Sequence, residues 1–245
     1  MENIVIDIKG VQKRFGKKIV HRNIDLTVQK GEVLTLMGGS GTGKSVLLRS
    51  LIGLDRPDQG SIIFRGDDIC QLSEEALIPI RKRIAYVFQY GALFDSFSVF
   101  ENLAYPLREH TKMTESEIRK KVLSTLDRVG LLGNEKLSPA DLSGGMQRRV
   151  GVARSIVMDP EIILYDEPTT GLDPFNTRQI ILIIEQLKKQ GSTSILVTHD
   201  MKTIFRVSDR IAFLKDGRID TIGTREQIQA STDPDLVGFI NGERM

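Results

Sequence analysis

The stretch Gly38-Gly39-Ser40-Gly41-Thr42-Gly43-Lys44-Ser45 constrains the fold more than any other feature of this sequence. It fits G-x-x-x-x-G-K-[ST], follows the strand-like run 32–37, and gives way to helical spacing over 44–52. Small residues let the backbone wrap around phosphate oxygens, while successive N–H groups and a helix N-terminus supply positive potential. Lys44 is expected to reach the β and γ phosphates of a nucleotide, and the Ser45 hydroxyl to ligate Mg²⁺. The alternative is a glycine-rich turn without a ligand, and the strand before it and helix after it weigh against that reading.

The same alternation runs through the chain. Residues 84–88, 162–166, 194–198 and 210–215 form further β-branched or apolar runs, with helical stretches filling most of the gaps. This pattern predicts an α/β fold with a mostly parallel, buried sheet. Residues 4–9, 19–28 and 61–64 look like antiparallel strands joined by short turns, so a small β-layer is expected beside the main sheet. Between Phe97 and Leu142 the strand signal vanishes, and Thr114 with Glu117 forms a capping box that opens a helix to about Val129. That segment is expected to be an inserted helical subdomain.

Composition removes several classes. The 245 residues are 40% apolar and 27% charged, as in an ordinary globular protein. Thirty-four basic against 32 acidic side chains give no bulk electrostatic grip on nucleic acid. Cys70 is the single cysteine and cannot form an internal disulfide, and no signal peptide opens the chain, so the cytoplasm is the expected compartment. No apolar run exceeds five residues, against the roughly 20 that a membrane helix needs.

Two further motifs narrow the chemistry. The run 162–165 ends in Asp166 and Glu167. A buried strand ending in a carboxylate places Asp166 at the carboxyl edge of the sheet, where open α/β folds bind ligands, as a direct or indirect partner of Mg²⁺. Glu167 points differently and would orient or deprotonate an attacking water. In Leu142-Ser143-Gly144-Gly145-Met146-Gln147, Ser143 is a good N-cap, and the glycines open a second helix N-terminus to a phosphate. An ordinary capped helix accounts for Ser143 but not for the glycine pair. One nucleotide needs only one phosphate loop, so the extra anion site makes most sense as a cap on a nucleotide held by another copy.

With these motifs in place the chain resembles, along almost its whole length, the ABC ATPase family, the nucleotide-binding subunits of ATP-binding cassette transporters. The resemblance implies a P-loop NTPase with a RecA-like core and antiparallel β-subdomain (1–89 and 144–230), a helical subdomain (90–143) and a C-terminal tail (231–245). It implies ATP hydrolysis with ATP and Mg²⁺ bound by residues 38–45 and by Val46, whose side chain replaces a frequent second hydroxyl and weakens affinity at most. Phe15 resembles the aromatic that stacks on adenine, and Gln89 the glutamine that meets Mg²⁺ and the attacking water. Ser143, Gly144, Gly145 and Gln147 match the signature sequence, Asp173 the aspartate at the dimer seam, and His199 the histidine on the γ-phosphate.

Within the family, residues 89–110 are most similar to the ATPase subunits of Mla-type phospholipid transporters, and residues 169–174 and 237–242 agree with that branch. The resemblance implies a homodimer on the cytoplasmic face of the inner membrane. Integral permease subunits would dock near residues 89–105, an MCE-domain lipid-binding protein would act indirectly, and a STAS-type regulatory subunit can belong to such systems. No nucleic acid partner is implied. Ala92, Leu93, Phe94, Phe97, Val99 and Phe100 are divided in this reading between subdomain core and a groove for a short helix of the permease. Residues 224–245 are expected to cross to the other copy. Another cargo (amino acid, ion or lipoprotein) or a non-transport ABC ATPase remain the alternatives.

Overall fold

The computed structural model describes residues 3–89 and 91–243. Tyr90, which opens the expected helical subdomain and belongs to the expected docking segment, lies outside the described residues, as do Met1, Glu2, Arg244 and Met245. In chain order the elements are β1 (Ile4–Phe15), β2 (Lys18–Gln29), β3 (Val33–Met37), α1 (Lys44–Ser50), β4 (Gln59–Phe64), β5 (Asp67–Asp68), α2 (Glu74–Arg83) and β6 (Ile84–Val87). They continue with α3 (Val99–His110), α4 (Glu115–Arg128), α5 (Gly144–Ile156), β7 (Ile162–Asp166), α6 (Pro174–Lys189) and β8 (Thr193–Val197). The chain closes with α7 (Met201–Val207), β9 (Arg210–Lys215), β10 (Arg218–Thr224), α8 (Arg225–Gln229) and α9 (Pro234–Asn241).

The strands follow the order β5-β4-β1-β2-β10-β9-β3-β8-β7-β6. From β9 to β6 every neighbouring pair is parallel, which explains why β3 and β8 are buried throughout and mostly apolar, with Thr35, Thr193 and Ser194 as buried polar exceptions. Period-two alternation sorts their side chains between two cores. Leu34, Leu36, Leu164, Ile195 and Val197 pack with Leu47, Leu48 and Leu51 of α1 and its C-terminal end. Val33, Ile163, Tyr165 and Leu196 pack on the other face with Val152 and Ile156 of α5 and Ile180 and Ile184 of α6.

The antiparallel layer β1-β2-β4-β5 joins this sheet through β10, which pairs antiparallel with β9 and touches β2 at Arg218 and Asn23. The capping box forms as the sequence predicts: Thr114 Oγ1 accepts from Glu117 N–H, and the Glu117 side chain returns to the Thr114 backbone. Leu103, Leu107, Ile118, Val122 and Leu126 of α3 and α4 share one core with α5, so the helical insertion is anchored to the element that carries the Ser143 motif.

Within residues 224–245, which the sequence leads one to expect against another copy, the last helix packs on its own chain. Helix α9 folds back on its own chain: Leu236 is fully buried with Met37, Ile204 and Phe213, and the Phe239 ring lies 5.3 Å from that of Phe213. Its apolar face is therefore already covered by its own chain. Among the described residues no helix is long and apolar enough to cross a membrane.

Candidate active site

The loop between β3 and α1 has the backbone its glycines permit. Gly41 and Gly43 have φ of 76° and 100°, in the region that side chains disfavour. A Cβ on Gly43 would lie 2.5 Å from Val20 Cγ1 and 2.6 Å from His21 Nε2, so the loop presses against β2. His21 is fully buried there and its Nε2 lies 3.0 Å from the Gly43 carbonyl, to which it donates. Burial lowers the His21 pKa, against the opposing hydrogen bond to Gly43, and the imidazole supports the loop as a neutral donor. The motif reading does not include His21, because the contact joins residues 21 and 43 through folding and has no spacing signature.

Lys44 is buried, and its ammonium donates to the carbonyls of Gly38 and Gly39 at 2.8 Å each. Desolvation lowers its pKa, while the charges of Glu167 and Asp166 act in the opposite direction. The ammonium is thereby held over the loop, where phosphate oxygens are better acceptors than neutral carbonyls. Ser45 Oγ donates to Asp166 Oδ1 at 2.7 Å, joining the start of α1 to the end of β7. Tyr86 donates to Asp166 Oδ2 at 2.6 Å. Burial, together with this hydrogen bond to a carboxylate, pushes the Tyr86 pKa well above the usual phenol range.

Glu167 adopts a φ of 51° immediately after β7, and its N–H donates to the Val197 carbonyl at 2.9 Å. This turn aims its carboxylate away from Asp166 and toward the end of β8. Glu167 Oε2 lies 2.9 Å from His199 Nδ1 and accepts from Thr170 Oγ1 at 2.8 Å. Thr170 is a member of the site that the motif reading does not assign, although it falls in the Thr-Thr-Gly-Leu-Asp run after Glu167.

These groups surround a cavity of about 670 Å³ that Phe15, Val46, Gln89, Glu167 and His199 line together with Gly38, Ser40, Gly41, Gly43, Lys44 and Ser45. Gly39 and Thr42 are not among the lining residues; Thr42 Oγ1 donates to the Gly39 carbonyl at 2.9 Å and shapes the loop from within. Phe15 ends β1 half-exposed, with the Lys13 ammonium 5.1 Å from its ring centroid. Gln89 also lines a neighbouring cavity of about 520 Å³, with Asp166, Phe88 and Gln147.

The donor set of Ser45 and Asp166 fits Mg²⁺. Both offer hard oxygens next to the phosphate loop, and Mg²⁺ takes few protein ligands and completes its shell from phosphate and water. Among the described residues no cluster of three His, Cys, Asp or Glu side chains forms a metal cage made by protein alone.

The structure keeps the Ser143 motif apart from this cavity. Ser143, Gly144, Gly145 and Asp173 are absent from its lining, and Ser143 and Gly144 are exposed at the start of α5. Ser143 Oγ accepts from Met146 N–H at 3.3 Å and caps the helix as expected. Gly145 is explained by packing: a Cβ there would overlap the side chain of Asn176. Asn176 Nδ2 in turn donates to Asp173 Oδ2 at 2.6 Å, which ties the motif to the start of α6. The Gln147 side chain turns inward and donates to the Pro139 carbonyl at 2.8 Å, bracing the loop before α5.

The apolar segment after Gln89 is sorted by burial. Val99 is in the core, Leu93 and Phe100 are packed against it, and Phe94, Phe97 and Tyr105 form a cluster with ring centroids 5.1–5.8 Å apart. Phe94 and Tyr105 remain 40% and 41% exposed, and Arg154 lies 4.3 Å over the Phe94 ring.

Residues 21–170 match the family model described as ABC transporter. The chain is 41% identical over 244 residues to the intermembrane phospholipid transport system ATP-binding protein MlaF of Haemophilus influenzae, covering 99% of this chain and 92% of that one. It is 44% identical over 243 residues to the probable ribonucleotide transport ATP-binding protein mkl of Mycobacterium leprae, covering 99% and 70%. Among solved structures, the ATP-binding cassette MJ0796, in a dimeric post-hydrolysis state bound to ADP and Pi, superposes with a TM-score of 0.82 at 32% identity, covering 90% and 98%.

Proposed function

Because this chain belongs to the ABC transporter family, we propose that it is the ATPase subunit that powers phospholipid transport between inner and outer membranes, acting as a homodimer on the cytoplasmic face of the inner membrane. It is an ATP-hydrolysing enzyme of the cassette type. The observation that carries the two-copy reading is the separation of the Ser143 motif from the cavity of its own chain. An exposed, glycine-opened helix N-terminus with no phosphate to meet in its own chain is suited to a phosphate held by a second copy.

In this reading ATP lies along residues 38–46 with its base on Phe15. Lys44 exchanges the Gly38 and Gly39 carbonyls for phosphate oxygens, and its charge stabilises the transferring phosphoryl group. Ser45 and Asp166 would hold Mg²⁺, with Gln89 nearby, and the ion supplies neutralisation of phosphate charge when bound. Glu167 accepts the proton of the attacking water. Thr170 and His199 fix its carboxylate, and His199 can turn from it to the γ-phosphate. Ser143, Gly144 and Gly145 of the other copy close the site, with the two Asp173 residues at the seam. Val46 offers the α-phosphate only its backbone N–H.

Closure is transmitted through Gln89 to the permease, for which Phe94 and Tyr105, packed on half-buried Phe97, offer an exposed aromatic platform. An MCE-domain lipid-binding protein and a STAS-type subunit complete the proposed partner set. Phospholipid cargo is supported by the name of the Haemophilus relative; ribonucleotide cargo is the second reading, because the mycobacterial relative at 44% identity carries that description. Purification of the tagged chain from detergent-solubilised membranes, followed by reconstitution, separates them. The phospholipid reading predicts a co-purifying permease and MCE protein and ATP-dependent movement of a fluorescent phospholipid between vesicles. Ribonucleotide uptake without lipid movement contradicts it.

Truncating Phe94 and Tyr105 together to Ala is expected to weaken permease association by about tenfold or more, ~1.4 kcal/mol, because exposed aromatic anchors concentrate interface energy. ATP hydrolysis by the isolated chain stays unchanged. Undiminished association, measured by co-purification at graded concentrations, contradicts the platform's role.

A further inference from the structure

Motif spacing does not single out Tyr86, and the resemblance assigns it no role. It lies on β6, opposite Leu164 of β7, and its hydroxyl crosses to the carboxylate two residues further along that strand. Each Asp166 oxygen therefore has its own donor: Ser45 Oγ to Oδ1 at 2.7 Å and Tyr86 Oη to Oδ2 at 2.6 Å. Ser45 stands in the phosphate loop and must adjust when a nucleotide and its cation arrive. Tyr86 stands on the sheet, its ring half-buried and 4.4 Å from that of Phe88, so its donor is fixed by packing. A carboxylate held at one oxygen by a rigid donor keeps the other oxygen turned toward Ser45. Outer partners of this kind orient metal-binding carboxylates and typically change metal affinity by about 10–100-fold when removed.

We propose that Tyr86 is a positioning residue for the cation site: its hydroxyl fixes Asp166 so that Oδ1 faces Ser45 and the incoming Mg²⁺. The proposal deepens the functional reading above and rests on Asp166 serving the cation. Phe at position 86 keeps the ring that packs on Phe88 and deletes only the donor.

The test uses the full chain with Glu167→Gln to suppress turnover, and measures affinity for a fluorescent ATP analogue in EDTA and across free Mg²⁺ concentrations. Tyr86→Phe is expected to leave affinity in EDTA unchanged, which also shows that the nucleotide site is folded, and to raise the half-saturating Mg²⁺ about tenfold. An unchanged Mg²⁺ dependence overturns the proposal, as does an equal loss of affinity with and without Mg²⁺, the mark of a merely structural role. Asp166→Ala separates the two levels. If it removes the Mg²⁺ dependence while Tyr86→Phe is silent, only the role of Tyr86 fails; if Asp166→Ala is also silent, the reading of Asp166 as a cation ligand fails.

Discussion

Replacing Glu167 by Gln is expected to lower the single-turnover rate of ATP hydrolysis by roughly 10²–10⁴-fold, the usual contribution of a positioned general base. The amide keeps the size of the carboxylate and an oxygen for Thr170 Oγ1, which donates to Glu167 Oε2 at 2.8 Å, so the turn at φ 51° is preserved. What disappears is a proton acceptor at the end of β7 and the charge that faces His199. Lys44 loses one of its two carboxylate neighbours but keeps Asp166 and the loop carbonyls, so ATP binding is retained. Quenched-flow hydrolysis and equilibrium nucleotide binding measure the two quantities separately. A variant that hydrolyses ATP within about threefold of the wild-type rate, far short of the loss expected for a general base, removes Glu167 from that role.

Lys44→Met acts at the other end of the chemistry. Charge-assisted hydrogen bonds contribute about 1.5–3 kcal/mol each, and the ammonium serves at least two phosphate oxygens in the proposed complex. Affinity for ATP is therefore expected to fall about 100-fold or more, ~2.8 kcal/mol. The methionine fills the buried channel of the lysine stem and removes a desolvated charge, so the fold survives although the Gly38 and Gly39 carbonyls lose a donor. Calorimetric titration with ATP, beside a circular dichroism melt, distinguishes a lost phosphate contact from a lost fold. Unaltered affinity places the phosphates elsewhere.

The contrast between these residues and the ones visible only in the folded chain shows where sequence reasoning reaches. Asp166 and Glu167 are legible because a buried β-strand must end in a turn and their acidic character is out of keeping with the apolar run before them. Thr114 and Glu117 are legible because a capping box is local. Strand β10 escapes detection because its positions are only exposed or half-buried along its whole length, leaving no apolar face to read. Strand β1 is cut short at Lys9 in the sequence because Gly10, at φ 59°, looks like a terminator, whereas the strand continues through an irregular register to Phe15. The roles of His21 and Tyr86 depend on pairs 22 and 80 residues apart, for which single-chain periodicity carries no signal. The segment after Gln89 resists division into core and surface for a related reason: residues 91–98 form an irregular loop, and only its packing buries Val99 while leaving Phe94 at the surface.

The same distinction applies to the Ser143 motif. Its glycine pair suggests an anion site shared between copies, and the structure gives the two glycines different grounds. Gly145 is required by the Asn176 side chain, which Asp173 holds in place. At Gly144 a Cβ would meet nothing within 4 Å, so packing within one chain does not require the glycine. Its openness is what a ligand approaching from outside would use.

If each ATP is closed by the Ser143 motif of a second copy, self-association should depend on both ATP and Ser143, which sedimentation velocity on Glu167→Gln with and without Ser143→Arg measures. ATP is expected to convert Glu167→Gln alone into a dimer, and adding Ser143→Arg to leave ATP affinity intact while holding the chain as a monomer. A double variant that still dimerises with ATP as readily as Glu167→Gln alone would contradict the shared site.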